Sequence, residues 1–326
     1  MTRAPLTIWC NTKFAEPIMD RLRAKVGPHR LVEASRQEAS NLVGSDRDPA
    51  LADADVAFGQ PDPDQVLELP RVKWIHLTTA GYTRYDNDRF KTGMRSRGAA
   101  LTNSSGVYDE PCAQHILAMM LGLARQLPAA LLDQYGTRSW PYLPIRATSH
   151  LLLGQTAILC GYGTIAKRLT ELLEPFRMNL IGVRRKPRGD EPIRVVTNNE
   201  GDVLLPQADH VVNILPASAE TRHFFDAKRI ARMKSTAIYY SVGRGSTTDQ
   251  DALRAALERK QFAAAYLDVT TPEPLPPEDP LWRTPNCFIT PHTAGGHTTE
   301  FERLADHFLS NLKRFENGEP LADRVI

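Results

Sequence analysis

Apolar residues in this chain fall into two successive series of short runs, separated by stretches with helical spacing. In the first hundred residues, 6–10, 55–58 and 72–78 are short and apolar enough for strands, and 18–26 repeats its apolar positions as a helix does. Such alternation predicts βαβ units around a parallel sheet. Near Asn103-Ser104-Ser105-Gly106 the pattern changes. From about Glu110 to Arg125 the chain is apolar on most sides, which predicts a helix buried in a core or between domains or subunits.

Beyond a Pro- and Trp-containing connection at 139–144, a second alternation predicts strands at 156–160, 179–183, 210–215, 237–241, 263–268 and 288–290. Helices fit at 165–173 and 249–259, the outline of a doubly wound sheet. The Pro-rich piece 272–280 reads as a rigid loop. A last amphipathic helix near 299–315 follows the final strand and is free to return to the first series. The fold class is therefore α/β, and 326 residues are enough for two separate cores.

Composition changes this picture little. Hydrophobic and charged contents of 42% and 24% are those of an ordinary globular protein. A net charge of +2 gives no general reason to expect nucleic acid or an anionic membrane as partner. Polar Asn11, Thr12 and Lys13 interrupt the amino-terminal apolar run, and runs such as 116–121 are too short to span a bilayer, so a cytoplasmic protein is expected. Cys10, Cys112, Cys160 and Cys287 are scattered, which predicts buried free thiols and no metal site.

The first chemical signal is Gly161-Tyr162-Gly163-Thr164-Ile165-Ala166, placed after an apolar run and before a helical pattern, the context of a dinucleotide fingerprint. Gly161 permits the tight turn, Gly163 lets the backbone approach a pyrophosphate, and Ala166 is small enough for helix packing. The pyrophosphate belongs on the helix amino terminus. About twenty residues on, where an NAD site presents Asp or Glu to the ribose, the chain reads Val183-Arg184-Arg185-Lys186. Arg184 and Arg185 are suited to a 2'-phosphate, which predicts NADPH in preference to NAD, with NAD still possible. A solvated basic loop is the plain alternative.

Three further motifs follow in order: Gly243-Arg244-Gly245, Asp268-Val269-Thr270-Thr271-Pro272-Glu273-Pro274, and Pro291-His292-Thr293-Ala294-Gly295-Gly296. Arg244 offers a guanidinium fork for a planar carboxylate, His292 a proton-transfer group, and Glu273 a carboxylate to favour the imidazolium. These are the parts for hydride chemistry on a 2-oxo or 2-hydroxy acid.

With Asn213-Ile214-Leu215-Pro216, Glu220-Thr221-Arg222, Asp249 and Leu253 added, the chain resembles the D-isomer-specific 2-hydroxyacid dehydrogenase family over nearly its whole length. The first half is looser, with 72–75 leading to Thr79-Ala80-Gly81 and Asn103 leading to Gln114-His115. The resemblance implies a Rossmann cofactor domain (105–293) inserted in a flavodoxin-like substrate domain (1–104 and 294–326), with catalysis in the cleft. By motif, Arg244 would bind the substrate carboxylate and 2-oxo group, His292 would donate the proton, and Glu273 would be its partner. Thr79, Ala80 and Gly81 would clamp the carboxylate. Gly161, Tyr162, Gly163, Thr164, Ile165, Arg184, Arg185, Leu215, Pro216, Thr221, Val242, Gly243, Asp268 and Ala294 would contact the cofactor. A homodimer formed through the cofactor domains, acting on a small acid such as glyoxylate or hydroxypyruvate, is the implied assembly.

Some positions depart from the family pattern: Ser241 where Asn is common, Gln114 where Glu precedes His115, and Thr83 where Asp often follows the glycine loop. Glu273 argues against the formate dehydrogenase branch, which has Gln there. Two other activities fit the motifs, a nucleotide-sensing corepressor-like scaffold and an NAD-dependent dehydrogenase of a larger acid. Trp140 could reach a partner's cleft, a buried anchor being its ordinary role, while His76, His115, His223, His297 and His307 lack motif context and read as structural or surface residues.

Overall fold

The first apolar run folds as β1 (Thr7–Thr12), followed by α1 (Glu16–Lys25), and its side chains alternate between two cores. Ile8 and Cys10 join Val56, Phe58 and Trp74 on one face of a sheet, while Trp9 joins Ala57 and Ile75 on the other. That is the period of two expected when both faces of a sheet are covered. The computed structural model describes residues 4–38 and 46–326, which divide into two units, Met1–Tyr108 with His297–Ile326, and Asp109–Gly296.

The first unit holds a five-stranded parallel sheet in the order β2-β1-β3-β4-β5, built from β1, β2 (Arg30–Glu38), β3 (Val56–Phe58), β4 (Trp74–His76) and β5 (Ala100–Thr102). This is the flavodoxin-like strand order. Helices α2 (Pro63–Glu68) and α3 (Asp88–Ser96) each start at an Asp or Asn whose side chain accepts from the first-turn backbone, Asp62 and Asn87. The C-terminal helix Glu300–Asn317 packs on the β1, β3 and β4 face. Its Phe308 stacks on Phe58 with ring centroids 4.1 Å apart and on Trp74 at 5.4 Å.

Helix α4 (Ser105–Ala124) contains the boundary between the units and begins five residues before the apolar pattern suggests. Pro111 lies inside it without ending it. The second unit continues with α5 (Leu127–Tyr135), for which no helix is expected from sequence, and α6 (Tyr142–Thr148), which overlaps the stretch 139–144 that reads as a connection. Its sheet has seven parallel strands: β6 (Thr156–Cys160), β7 (Asn179–Val183), β8 (Arg194–Val196), β9 (His210–Asn213), β10 (Ile238–Ser241), β11 (Ala264–Leu267) and β12 (Cys287–Ile289). Their order, β12-β11-β10-β9-β6-β7-β8, reverses between β6 and β9. That order is a Rossmann sheet extended by one strand, and ligands bind such sheets outside the strand ends at the reversal. Helices α7 (Thr164–Leu173), α8 (Asn198–Leu204), α9 (Ala227–Ile230) and α10 (Gln250–Glu258) cover it.

Cys10, Cys112 and Cys160 are buried and Cys287 half-buried, all as free thiols. Burial pushes Cys10, Cys160 and Cys287 up to about 12, so these thiols stay protonated and unreactive at neutral pH.

Candidate active site

The glycine turn sits at the reversal point. Gly161 has φ +95°, and a Cβ there would lie 2.9 Å from the carbonyl of Ile214 in the loop after β9. Both facts demand glycine. Gly163 precedes α7 without a side-chain cap, and a Cβ on it would meet nothing nearer than 3.9 Å. Exposed Gly163 and Thr164 and half-buried Ile165 therefore present an open, uncapped helix amino terminus that fits a pyrophosphate, while Ala166 is fully buried. Tyr162 is 2% exposed and packs on Gly182 of β7, so only its main chain is left for a ligand.

At the end of β7 the basic run meets two acids that its local sequence does not reveal. Arg184 Nη1 lies 3.2 Å from the Glu191 carboxylate, which also accepts the N–H groups of Arg188 and Gly189. Those backbone bonds, the first of them foremost, and the Arg184 guanidinium hold Glu191 below the usual carboxylate range. Arg185, exposed, pairs with exposed Glu220 at 2.5 Å.

The neighbouring loops show further departures. Thr221 donates its hydroxyl to the Pro216 carbonyl at 2.6 Å and accepts from Ser218 N–H, closing its own loop. Leu215 N–H donates to Asn213 at 3.2 Å, and Val242 N–H to the Asn213 carbonyl at 3.1 Å. A Cβ on Gly243 would fall 2.3 Å from the Leu215 carbonyl oxygen, so the loops after β9 and β10 lie in contact. Trp140 is 85% exposed, which overturns the buried-anchor role. Asp133 holds its loop, accepting from Thr137, Ser139 and Trp140 N–H.

Arg244, Glu273 and His292 all belong to the second unit. A Cβ on Gly245 would fall 1.9 Å from the Thr270 carbonyl oxygen, so this glycine lets the Arg244 turn lie against the loop that carries Glu273. The Arg244 guanidinium is half-buried, and among the described residues its one hydrogen bond is Nη1 donating to the Gly243 carbonyl at 2.7 Å. Burial lowers its pKa, opposed by the charge of Glu273. His292 adopts φ +52°, a left-handed conformation that histidine tolerates better than most residues. Its backbone N–H donates to the carbonyls of Asp268 and Thr290 at 2.9 and 3.0 Å.

His292 Nδ1 donates to Glu273 Oε2 at 2.8 Å, and Glu273 Oε1 accepts Thr270 N–H at 2.9 Å. Burial alone would raise the Glu273 pKa, but these bonds and the charges of His292 and Arg244 hold it below its ordinary value. A charged carboxylate only accepts, so the proton on Nδ1 is fixed and the exchangeable one belongs to Nε2. Among the described residues Nε2 has no hydrogen-bond partner. The arrangement can hold a carboxylate at Arg244 and pass a proton at His292 Nε2.

Asp268 is buried and works as the anchor of the His292 turn. Its Oδ1 accepts Thr290 Oγ1 at 2.5 Å and Thr293 N–H at 2.9 Å, and its Oδ2 accepts Ala294 N–H at 3.0 Å. The Ala294 N–H is thereby taken and cannot also serve a ligand. In the first unit, Thr79-Ala80-Gly81 follows β4, with Thr79 Oγ1 donating to the Gly81 carbonyl at 2.6 Å and Asn103 donating to the Ala80 carbonyl at 2.7 Å. Among the described residues the N–H groups of Ala80 and Gly81 have no acceptor. Ser241 is buried, Gln114 donates to Glu110 at 2.5 Å, and Thr83 opens a short 3-10 turn.

Residues 117–294 match the family model described as D-isomer specific 2-hydroxyacid dehydrogenase, NAD binding domain. A glyoxylate reductase of Korarchaeum cryptofilum is 31% identical over 77% of this chain and 75% of its own length. A D-isomer specific 2-hydroxyacid dehydrogenase family protein of Aeromonas salmonicida superimposes with TM-score 0.78 at 28% identity, covering 99% of both chains. An NADPH-dependent glyoxylate/hydroxypyruvate reductase of Sinorhizobium meliloti, solved with citrate, gives TM-score 0.75 at 25% identity over 99% and 98%.

Proposed function

The chain belongs to the D-isomer specific 2-hydroxyacid dehydrogenase family, and from that premise we propose that it reduces a small 2-oxo acid of the glyoxylate or hydroxypyruvate class with NADPH. One observation carries the reading: His292 Nδ1 is tied to Glu273 at 2.8 Å with Nε2 free, in the unit where Arg244 keeps guanidinium donors to spare. A substrate carboxylate takes those donors two at a time. His292 Nε2 delivers its proton to the oxygen on C2, and Glu273 steadies the ring and offsets the imidazolium charge. The main chain of Gly161, Gly163, Thr164 and Ile165 would hold a nicotinamide dinucleotide, with Leu215, Pro216, Val242, Gly243 and Asp268 bordering it, and the cofactor when bound would supply the hydride.

The preference for NADPH rests on Arg184 and Arg185. The exposed Arg185–Glu220 pair is weak and free to open, which leaves a guanidinium for a 2'-phosphate. The Sinorhizobium relative, NADPH-dependent by its own description, agrees. The homodimer forms through the second unit, where Leu131, Leu132, Trp140 and Leu143 are all exposed. A cytoplasmic location completes the proposal.

A panel of 2-oxo acids assayed with both cofactors, with product chirality determined, tests this reading. Glyoxylate or hydroxypyruvate turnover with NADPH is expected, falling by roughly tenfold or more in Arg184→Asp, as loss of one charged hydrogen bond implies. A preference for NADH that is unchanged in Arg184→Asp refutes the cofactor assignment. Absence of turnover with every acid refutes the activity.

A further inference from the structure

Histidine 115 has no role in the chemistry above, yet it opens a chain of polar contacts that ends on the anchor of the His292 turn. Its Nε2 lies 2.6 Å from the hydroxyl of Tyr266, on β11. That hydroxyl bonds Thr290 Oγ1, just after β12, and Thr290 Oγ1 bonds Asp268 Oδ1 at 2.5 Å. Asp268 in turn holds the N–H groups of Thr293 and Ala294, on either side of which the turn bends. All four residues belong to the second unit.

The proton positions along this chain are determined by what each group can do. A charged carboxylate only accepts, so the single hydroxyl proton of Thr290 points to Asp268. Thr290 can then only accept from Tyr266, whose own proton is thereby used, and Tyr266 must accept from His115 Nε2–H. Burial raises Tyr266 and keeps the phenol protonated. Burial also lowers His115, although Asp268 at 3.7 Å pulls the other way, so the neutral ring carries its proton on Nε2. Each donor therefore faces Asp268, and the carboxylate, 1% exposed, sits at the end of an ordered line.

We infer that His115, Tyr266 and Thr290 are positioning residues for the His292 turn, acting through Asp268. This rests on the proposed reductase only for its kinetic consequence; its structural consequence is independent of any activity. Loss of Thr290 Oγ1 takes a donor from Asp268, and loss of the Tyr266 hydroxyl leaves the Thr290 hydroxyl without the partner that holds it toward Asp268; either way the grip on Thr293 and Ala294 N–H loosens, so His292 Nε2 spends less time where a substrate oxygen needs it.

Two readouts keep the proposal and the reductase reading separable. Hydrogen exchange of the segment 290–296 should quicken by about tenfold in Thr290→Val and Tyr266→Phe, the lower end for loss of one charged or coupled hydrogen bond. Thr290→Ser, which restores the hydroxyl, should return to wild-type exchange, and His115→Gln, which keeps a donor, should change less than His115→Leu. With glyoxylate and NADPH, kcat should fall about tenfold in Thr290→Val and Tyr266→Phe while KM and NADPH affinity stay within about threefold. The double variant should be no slower than the worse single one, because both break one line. Wild-type exchange in Thr290→Val and Tyr266→Phe, or a Thr290→Ser that behaves as Thr290→Val, overturns the inference. A wild-type protein that reduces no 2-oxo acid removes the activity reading and leaves the exchange result to decide this one.

Discussion

Replacing Arg244 by Lys keeps a positive charge and removes only the fork. The guanidinium has five N–H donors, and one, on Nη1, is spent on the Gly243 carbonyl at 2.7 Å. The rest can meet both oxygens of a carboxylate, whereas an ammonium on a shorter reach meets one well. The loss is therefore one charge-assisted hydrogen bond, about 1.5 to 3 kcal/mol, or roughly 10- to 150-fold in kcat/KM. The assay is steady-state reduction of glyoxylate with NADPH, with cofactor affinity followed separately by fluorescence and expected to change less than about threefold. A Lys variant within about threefold of wild type in kcat/KM refutes the carboxylate role. So does a loss that lies wholly in cofactor affinity.

Glu273→Gln should keep the hydrogen bond to His292 but remove its charge, lowering kcat/KM by about tenfold, the difference between a charged and a neutral bond. Because folding holds the Glu273 carboxyl below 4.5, its contribution to stability is present above that value and is lost as the pH falls through the depressed folded one. Thermal melts taken downward from about pH 5 to about pH 3 should show the gap between wild type and Glu273→Gln closing as the carboxyl protonates. A gap that stays unchanged on acidification contradicts the pairing. Gly245→Ala places a Cβ 1.9 Å from the Thr270 carbonyl oxygen and should cost about 1 to 3 kcal/mol in urea unfolding, with turnover falling as the Glu273 loop is displaced. An unchanged unfolding midpoint speaks against that contact.

Much of this was open to a reader of the chain alone, and the exceptions have physical causes. β6 and β7 occupy the same residues in pattern and in structure because each is a short, mostly apolar run set off by polar or turn residues. β2 and β8 are edge strands with one paired side, and polar residues interrupt their sequences, so period and hydropathy are both weak. The helices α5 and α6 hide behind Pro128, Pro141 and Pro144, which read as breaks although Pro is well tolerated at a helix start. In the site, Arg244, Glu273 and His292 stand out because each lies in its own motif. The partners that qualify the reading do not: Glu220 meets Arg185 across 35 residues, and Tyr266 meets His115 across 151. Thr221 looked available because nothing local shows that its hydroxyl is spent on the Pro216 carbonyl.

The central claim is that His292 Nε2 protonates C2 oxygen while Arg244 holds the acid. It is tested most directly by the kcat of His292→Ala for glyoxylate, measured at saturating NADPH and with cofactor binding confirmed. The account predicts a loss of about 10² to 10⁴ with binding intact, the usual worth of a general acid. Turnover within about tenfold of wild type would contradict it.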